Sequence, residues 1–451
     1  MVKPTPITYG LGDKPPFGFA ALVGLQHLLA VFGGIVTAPL LIALGMQLSP
    51  TDTTYLISSA LFVSGVATLL QVSRIGSVGS GLLSIQGTSF TFIGPLIYLY
   101  SLKTAAFTSA EALGFVFTAC LICAALIAAL SPFIHTLRHV LTRNVSATII
   151  LLLGVTLVWT TLGNINRSFE QALQENQPVW PLVVLSAGVF TLILVLATNR
   201  RPTLRMSSIV IGLAAGFVAA IGFGMVNFEQ LDQQALWFVP EFQRYPFAVD
   251  WALVAILLPV FLVSVTESIG DLTATASLSG LATEGPSFWR RLRGGILADS
   301  INSAIAALFC TFPNTTFSQN NGVIRLTGVS SRRVGRFVGL FLIALGTVPL
   351  VAAVVQRIPG IVIASATLLM FAMVVVSGYQ IAASHHATRR DWAVIALAIA
   401  CGLFTTTPWA APILDRLPPA VSHFFGFPIS SGAFFAILLD AVVPGRQRRE
   451  I

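Results

Sequence analysis

The chain carries little charge. Only 9% of its 451 residues are Asp, Glu, Lys or Arg, and the mean hydropathy is +0.86, whereas roughly a quarter of a soluble domain is charged. A water-soluble globule is excluded, and the composition is that of a polytopic membrane protein. Cysteine is scarce as well: Cys120, Cys123, Cys310 and Cys401 all fall in hydrophobic segments. Cys120 and Cys123 form a C-x-x-C, but no second pair completes a zinc site, so these thiols read as core residues. Acids are fewer than bases, 17 against 25, for a formal net charge of +8. This excess does not imply nucleic acid, because the bases sit in short clusters between apolar runs, which is a topology signal. H-E-x-x-H, G-x-S-x-G and paired metal ligands are missing at membrane depth, which leaves an intramembrane enzyme without machinery. Residues 1–16 are polar, hold Lys3, Asp13 and Lys14, and show no short apolar core before a cleavage site. The first hydrophobic segment is therefore expected to be retained.

Apolar runs are plentiful. They fall near 17–43, 53–73, 82–100, 107–131, 144–163, 180–198, 206–226, 249–276, 294–312, 316–329, 334–356, 360–381, 391–410 and 426–445. Crossing a bilayer takes about 20 such residues, fewer where a span is broken, so fourteen spans are expected. The connections support that count. Arg74, then Arg138 and Arg143, Arg200, Arg201 and Arg205, Arg290, Arg291 and Arg293, Arg332, Arg333 and Arg336, Arg389 and Arg390, and last Arg446, Arg448 and Arg449 occupy every second one. The alternate connections are poor in bases: 227–248 holds Glu229, Asp232 and Glu241 against Arg244, and 164–179 holds Glu170 and Glu175 against Arg167. The Arg-rich side is cytoplasmic by the positive-inside rule, and both termini fall on it.

Asn314 to Gly328 breaks the apolar pattern with a dense run of hydrogen-bonding side chains. Polar side chains and non-helical backbone persist at membrane depth only when buried in protein or lining a wet cavity, so this stretch reads as a ligand site centred on Gln319. Pro313 before it and Gly322 within it predict a short extended piece followed by a helix. A fainter copy exists in the third span: Gly87-Thr88-Ser89-Phe90 parallels Asn314-Thr315-Thr316-Phe317, and the two Phe are 227 positions apart. Fourteen spans split into two sevens would invert the second half, and paired broken helices then mark a midplane site. Their N-termini would aim free N–H groups and positive dipole ends at the bound molecule.

Three acids lie well inside predicted spans: Glu267, Asp271 and Asp299. Each would cost roughly 2.5–3.5 kcal/mol if it met lipid charged, so they must face a cavity or partners. Glu267 and Asp271 are four apart and share one helix face, where both cannot cheaply be charged at once. Such acids can also serve only as hydrogen-bonding struts between helices, and His27, beside Gln26 in the first span, can be a packed imidazole. His385 and His386, next to Arg389, read as interfacial decoration. Phe90 and Phe317 flank the two breaks, where a flat heteroaromatic ligand would want a π-face. Gln319 presents a carbonyl acceptor beside an amide donor, matching the alternating edge of a nucleobase. An ionised Glu267 accepts from ligand N–H groups, so the two make a clamp for an imide-bearing ring.

At this point the sequence resembles a known family. Gln319-Asn320-Asn321-Gly322 followed four residues later by Thr327-Gly328 is similar to the signature of the nucleobase-ascorbate transporters. Gln26-His27, the run Gly79 to Gly87, Glu267-Ser268-Ile269-Gly270-Asp271 and Gly294-Gly295-Ile296-Leu297-Ala298-Asp299 extend the likeness over nearly the whole chain, with bacterial xanthine permeases the nearest kind. The resemblance implies an all-α polytopic membrane protein of two inverted seven-span repeats, with short extended pieces in the broken third and tenth spans. It implies a core domain from 17–131 and 249–356, a gate domain from 144–226 and 360–445, and a homodimer in the bacterial inner membrane. It further implies proton symport of a purine base with no cofactor beyond the coupling proton. Carried over by motif, Glu267 and Gln319 would hold the purine and Phe317 would stack on it. Ser89, Phe90, Ser318 and Asn320 would contribute contacts. Asp299 would support proton coupling alongside Glu267, with Asp271 and His27 shaping the site. Uracil permeases of the family usually carry Glu at the Gln319 position and His at the Asp271 position, so both departures favour a purine. Ser89 stands where xanthine permeases often have Asn, which leaves urate or a broader oxopurine range open. Arg325 departs from the usual uncharged residue and reads as a snorkelling side chain. An anion exchanger of the same architecture would have no use for Glu267, whose charge repels its ligand.

Overall fold

The computed structural model describes residues 7–133, 142–201, 204–205, 207–226, 228, 236–383 and 387–443. Arg138, Glu229, Asp232, His385, His386, Arg446, Arg448 and Arg449 lie outside them. Apolar helices follow one another with short connections: α1 (Phe17–Gly45), α2 (Pro50–Ser73), α3 (Ile93–Thr104), α4 (Ser109–Leu130), α5 (Arg143–Gln174), α6 (Trp180–Ala197) and α7 (Ser208–Gly222). After a long connection come α8 (Trp251–Leu278), α9 (Gly285–Leu308), α10 (Gln319–Thr327), α11 (Arg332–Gly346) and α12 (Pro349–Gln356). The chain closes with α13 (Gly360–Ala383), α14 (Arg389–Phe404), the short α15 (Ala411–Leu414) and α16 (Pro419–Gly426), and α17 (Pro428–Val442).

Among the described residues seven helices are long and apolar enough to cross a membrane, or eight if α11 and α12 count as one span bent by 76°. By length and composition alone, then, the fourteen-run expectation is not reached. The nine-residue α10 is too short to cross, and α7 and α17 are short apolar helices. Pro349 begins α12 and lacks the N–H that would have continued α11, so the run at 334–356 is two helices. The run at 144–163 undershoots α5, which continues through most of the expected 164–179 connection to Gln174. Asn166 to Glu170 at 2.7 Å and Gln171 to Glu175 at 2.9 Å are one-turn pairs that carry the helix on in polar surroundings. Likewise α9 starts at Gly285 with Pro286 in its first turn, so Arg290, Arg291 and Arg293 sit on the helix instead of in a loop.

Two groups of helices result. In one, α2 crosses α11 and α1, while α4 lies against α8 and α9. Gly65 and Gly339 let α2 and α11 touch backbone to backbone: a Cβ on Gly65 would sit 2.5 Å from the Gly339 carbonyl oxygen. Without a hydrophobic force between helices in lipid, such close van der Waals contact is what holds them. In the other group α5 and α13 form the most extensive helix pair, joined by α6, α7, α14 and α17.

The centre of the first group is not helical. Strand β1 (Gln86–Thr88) runs antiparallel to β2 (Asn314–Thr316), pairing Gln86 with Thr316, Gly87 with Thr315 and Thr88 with Asn314. All six residues are buried. The pairing satisfies backbone groups that hydrocarbon could not.

Candidate functional site

Each strand leads into a half-helix. Ser89 accepts a hydrogen bond from the Thr91 amide at 3.3 Å and so caps the turn Phe90–Phe92 that opens α3. The Ser89 amide in turn donates to the Pro313 carbonyl at 3.0 Å, stitching the two broken segments together. On the other side, Phe317 donates its amide to Ile85 at 3.0 Å before α10 begins at Gln319. The rings of Phe90 and Phe317 therefore approach to 6.2 Å between centroids, tilted at 48°. Glycine makes room for Phe317: a Cβ on Gly34 of α1 would lie 2.5 Å from its ring, and one on Gly87 would lie 2.7 Å away.

The three acids converge here from α8 and α9. Glu267 accepts from the Thr91 hydroxyl at 2.8 Å, leaving its second carboxylate oxygen without a partner among the described residues. Asp271, one turn further on, accepts from Thr316 at 3.1 Å. Asp299 is buried, accepts from Gln71 at 3.1 Å and takes a short hydrogen bond from Ser268, which lies between the other two acids in sequence. Asp299 also adjoins Gln86 of β1. A continuous polar seam therefore joins α2, α8, α9 and both strands.

The remaining expected residues fall around this seam. Asn320 is buried and donates its amide to the Leu83 carbonyl through a short hydrogen bond. His27 is fully buried beside Asn320, yet the pair does not meet hydrogen-bond geometry and both ring nitrogens lack a partner. Gln319 is half-buried and its side chain makes no hydrogen bond among the described residues, while Ser318 is exposed. Arg325 is exposed one turn from the end of α10. Sequence reasoning missed Thr91, Thr316, Gln71 and Phe371. Thr91 and Thr316 stand within two residues of expected positions, so adjacency was the available signal. Phe371 of α13 carried none: it is one of many Phe in apolar runs, but its ring meets Phe90 edge-on at 5.7 Å.

The described residues thus place two mutually tilted aromatic rings near a carboxylate with one unpartnered oxygen, and leave the Gln319 amide, two residues after Phe317, without a hydrogen bond. The family model Xan_ur_permease, described as a permease family, matches residues 19–409. The xanthine permease XanP of Escherichia coli is 38% identical over 446 residues, covering 98% of this chain and 96% of that protein. The chain belongs to the nucleobase-ascorbate transporter family. Its members are permeases, not enzymes, and a multi-pass integral membrane protein follows. A more distant relative in this family, the uric acid-xanthine permease of Emericella nidulans, is 30% identical over 482 residues, covering 97% of this chain and 83% of the relative. Solved structures outside close sequence range share the fold. The transmembrane domain of a cyanobacterium bicarbonate transporter, BicA, superposes with a TM-score of 0.62 at 14% identity, covering 86% of this chain and 97% of that one. The murine SLC26A9 anion transporter gives 0.63 at 14% identity, covering 96% and 69%. At that identity the nucleobase-ascorbate transporter family and these anion transporters are linked by architecture alone.

Proposed function

We propose that this chain is a proton-coupled symporter that imports a purine base, xanthine first, by alternating access across the bacterial inner membrane. The observation that carries the reading is the half-buried Gln319, without a hydrogen bond among the described residues and two residues after Phe317 of the Phe90–Phe317 pair, with Glu267 held by Thr91, the residue after Phe90. An amide donor and acceptor side by side match an oxopurine edge, and Glu267 accepts from a ring N–H. Phe317 and Phe90 supply π-faces, and Ser89, Ser318 and Asn320 supply or support polar contacts. Permeases for xanthine and for uric acid with xanthine among the relatives support a purine over a pyrimidine. Urate or a broader oxopurine range is the second reading, favoured by the small hydroxyl at Ser89.

Coupling follows from the cost of occluding charge. A proton entering from outside is taken up by the pair Glu267 and Asp271 as the base binds, and while Asp271 holds it Glu267 stays ionised to accept from the ring N–H. Asp299 and His27 keep the surrounding network in register. The loaded core domain, 17–131 with 249–356, then moves against the gate domain, 144–226 with 360–445, in a fourteen-span chain with both termini cytoplasmic. The antiparallel pairing of two interrupted segments, one from each half, supports the inverted-repeat reading. A homodimer is part of the proposal. The test is uptake of labelled xanthine, with and without an uncoupler, in competition with urate, hypoxanthine, guanine and uracil. Xanthine should compete best and the uncoupler should abolish accumulation. Wild-type, proton-driven accumulation by Glu267→Gln would sink the coupling role.

A further inference from the structure

Away from the candidate site, four arginines gather where α2 ends and where α9 and α11 begin. Arg74 follows α2, Arg291 lies in the second turn of α9, and Arg332 and Arg336 lie in the first two turns of α11. Arg74 and Arg332 meet over the same point of the loop, since a Cβ on Gly81 would lie 2.8 Å from the Arg332 guanidinium and 3.3 Å from the Arg74 Cβ, and Arg74 repels Arg291 and Arg332 while Arg336 repels Arg332. No carboxylate forms an ion pair with any of the four among the described residues. Arg74 and Arg336 are exposed and Arg291 and Arg332 half-buried, so the group presents an accessible concentration of positive charge.

The loop between them is built tightly. Arg291 donates to the Ser80 carbonyl and Arg332 to the Gly81 carbonyl, each at 2.7 Å. Each guanidinium has five N–H donors, so most remain for a ligand. Arg74 itself stands at φ +49°, in the left-handed region where glycine would cost less. Arg74 is the left-handed C-cap of α2, where its charge favours the negative end of that helix, and its side chain makes no hydrogen bond among the described residues. Beside it, Ile75 leaves 63% of its surface exposed at the tip of the loop. An apolar tip next to a ring of guanidiniums fits the boundary between headgroups and acyl chains, where basic pockets between helices take up anionic headgroups. Arginine forks match phosphate oxygens two at a time.

We propose that Arg74, Arg291, Arg332 and Arg336 form a binding site for the phosphate of an anionic lipid headgroup on the Arg-rich face of the protein. Such a lipid would brace the Ser77–Gly81 loop, whose far end continues into β1, and so couple membrane composition to the rigidity of the broken third span. The experiment uses the full chain in nanodiscs of phosphatidylcholine, with phosphatidylglycerol or inorganic phosphate as the added probe. Thermal unfolding is followed and bound lipid is counted by native mass spectrometry. The variant R74Q/R336Q removes two charges that hold no backbone group. Phosphatidylglycerol should raise the wild-type Tm by roughly 2 °C or more, by binding the folded state alone, and should be retained on release from the disc. The variant should lose both effects. Equal stabilisation of wild type and variant, or no stabilisation of wild type, would overturn the site. A response to inorganic phosphate with none to phosphatidylglycerol would overturn the lipid assignment.

Discussion

Thr91 donates its hydroxyl to Glu267 at 2.8 Å, so the turn that opens the broken third span is tied directly to the acid on α8. A Glu267→Gln side chain could keep that hydrogen bond but could not take up a proton. Thr91→Ala does the reverse, since it leaves the carboxyl intact and frees it to rotate. Thr91→Ala should therefore reduce initial xanthine uptake by about tenfold, the loss of one charge-assisted hydrogen bond, and keep its response to an uncoupler. Uptake rates of the two variants side by side decide the matter. Wild-type rates in Thr91→Ala would mean that the hydrogen bond does not orient Glu267 for function.

Gln319→Glu puts an acceptor-only group where the amide presents a donor and an acceptor. A purine carbonyl facing it would lose its donor and meet a negative charge. Xanthine KM should rise by about a hundredfold or uptake should disappear, with the protein still present in the membrane by immunoblot. An unchanged KM would remove Gln319 from the site.

The ring of Phe317 occupies space that two glycines leave open. A methyl on Gly34 or Gly87 would enter contact distances of 2.5 and 2.7 Å with that ring, and on Gly87 it would also meet Ile35 at 2.7 Å. The ring has to turn or shift, and misplacement by about 1 Å costs up to a hundredfold at a well-aligned site. Gly34→Ala and Gly87→Ala should each raise xanthine KM by about tenfold or more with near-normal expression. Competition by unlabelled xanthine measures it, and an unaltered affinity would show that Phe317 does not set the slot.

Part of the candidate site is legible in the sequence alone. Buried acids and a polar interruption stand out in a chain with so few charges, because hydrocarbon makes each one costly, and this marked Glu267, Asp271, Asp299 and the Gln319 stretch. Partners were harder. Thr91 and Thr316 are ordinary in sequence, and only the antiparallel register of β1 with β2 brings them to Glu267 and Asp271. Helix ends were legible only where the apolar run and the helix stop together. At α5 polar one-turn pairs extend the helix beyond the apolar residues, and at α9 the helix begins among arginines. The 76° bend between α11 and α12 had a visible cause in Pro349, but the run around it was apolar throughout and hid the break.

Phe371 reaches the candidate site from the other group of helices and meets Phe90 edge-on at 5.7 Å, while Phe90 also faces Phe317. An aromatic pair contributes about 0.5–1.5 kcal/mol beyond burial. Phe371→Ala should change xanthine affinity by no more than about twelvefold, and it should admit purines with bulkier substituents that wild type excludes. Phe90→Ala removes both contacts and should lose xanthine uptake. Competition with a series of substituted xanthines separates the two variants. An identical profile for Phe371→Ala and wild type would show that the α13 ring does not bound the slot.

The crossing of α2 and α11 is set by glycine, and a side chain there tests how much of the fold rests on it. A Cβ on Gly339 would lie 2.8 Å from Leu69 and 2.9 Å from the Gly65 carbonyl oxygen, a backbone atom that cannot swing aside. The two helices would have to separate, exposing buried Val338 and Leu342 on one side and Leu61 on the other. Overpacking of this kind costs about 1–3 kcal/mol, and the lost interhelical contact has no hydrophobic compensation in lipid. Gly339→Val should lower the Tm in detergent and the amount of protein in the membrane, while Gly163→Val, where a Cβ meets nothing within 4 Å, should do neither. If Gly339→Val kept the wild-type Tm, the backbone contact between α2 and α11 would contribute nothing to holding the two halves of this group together.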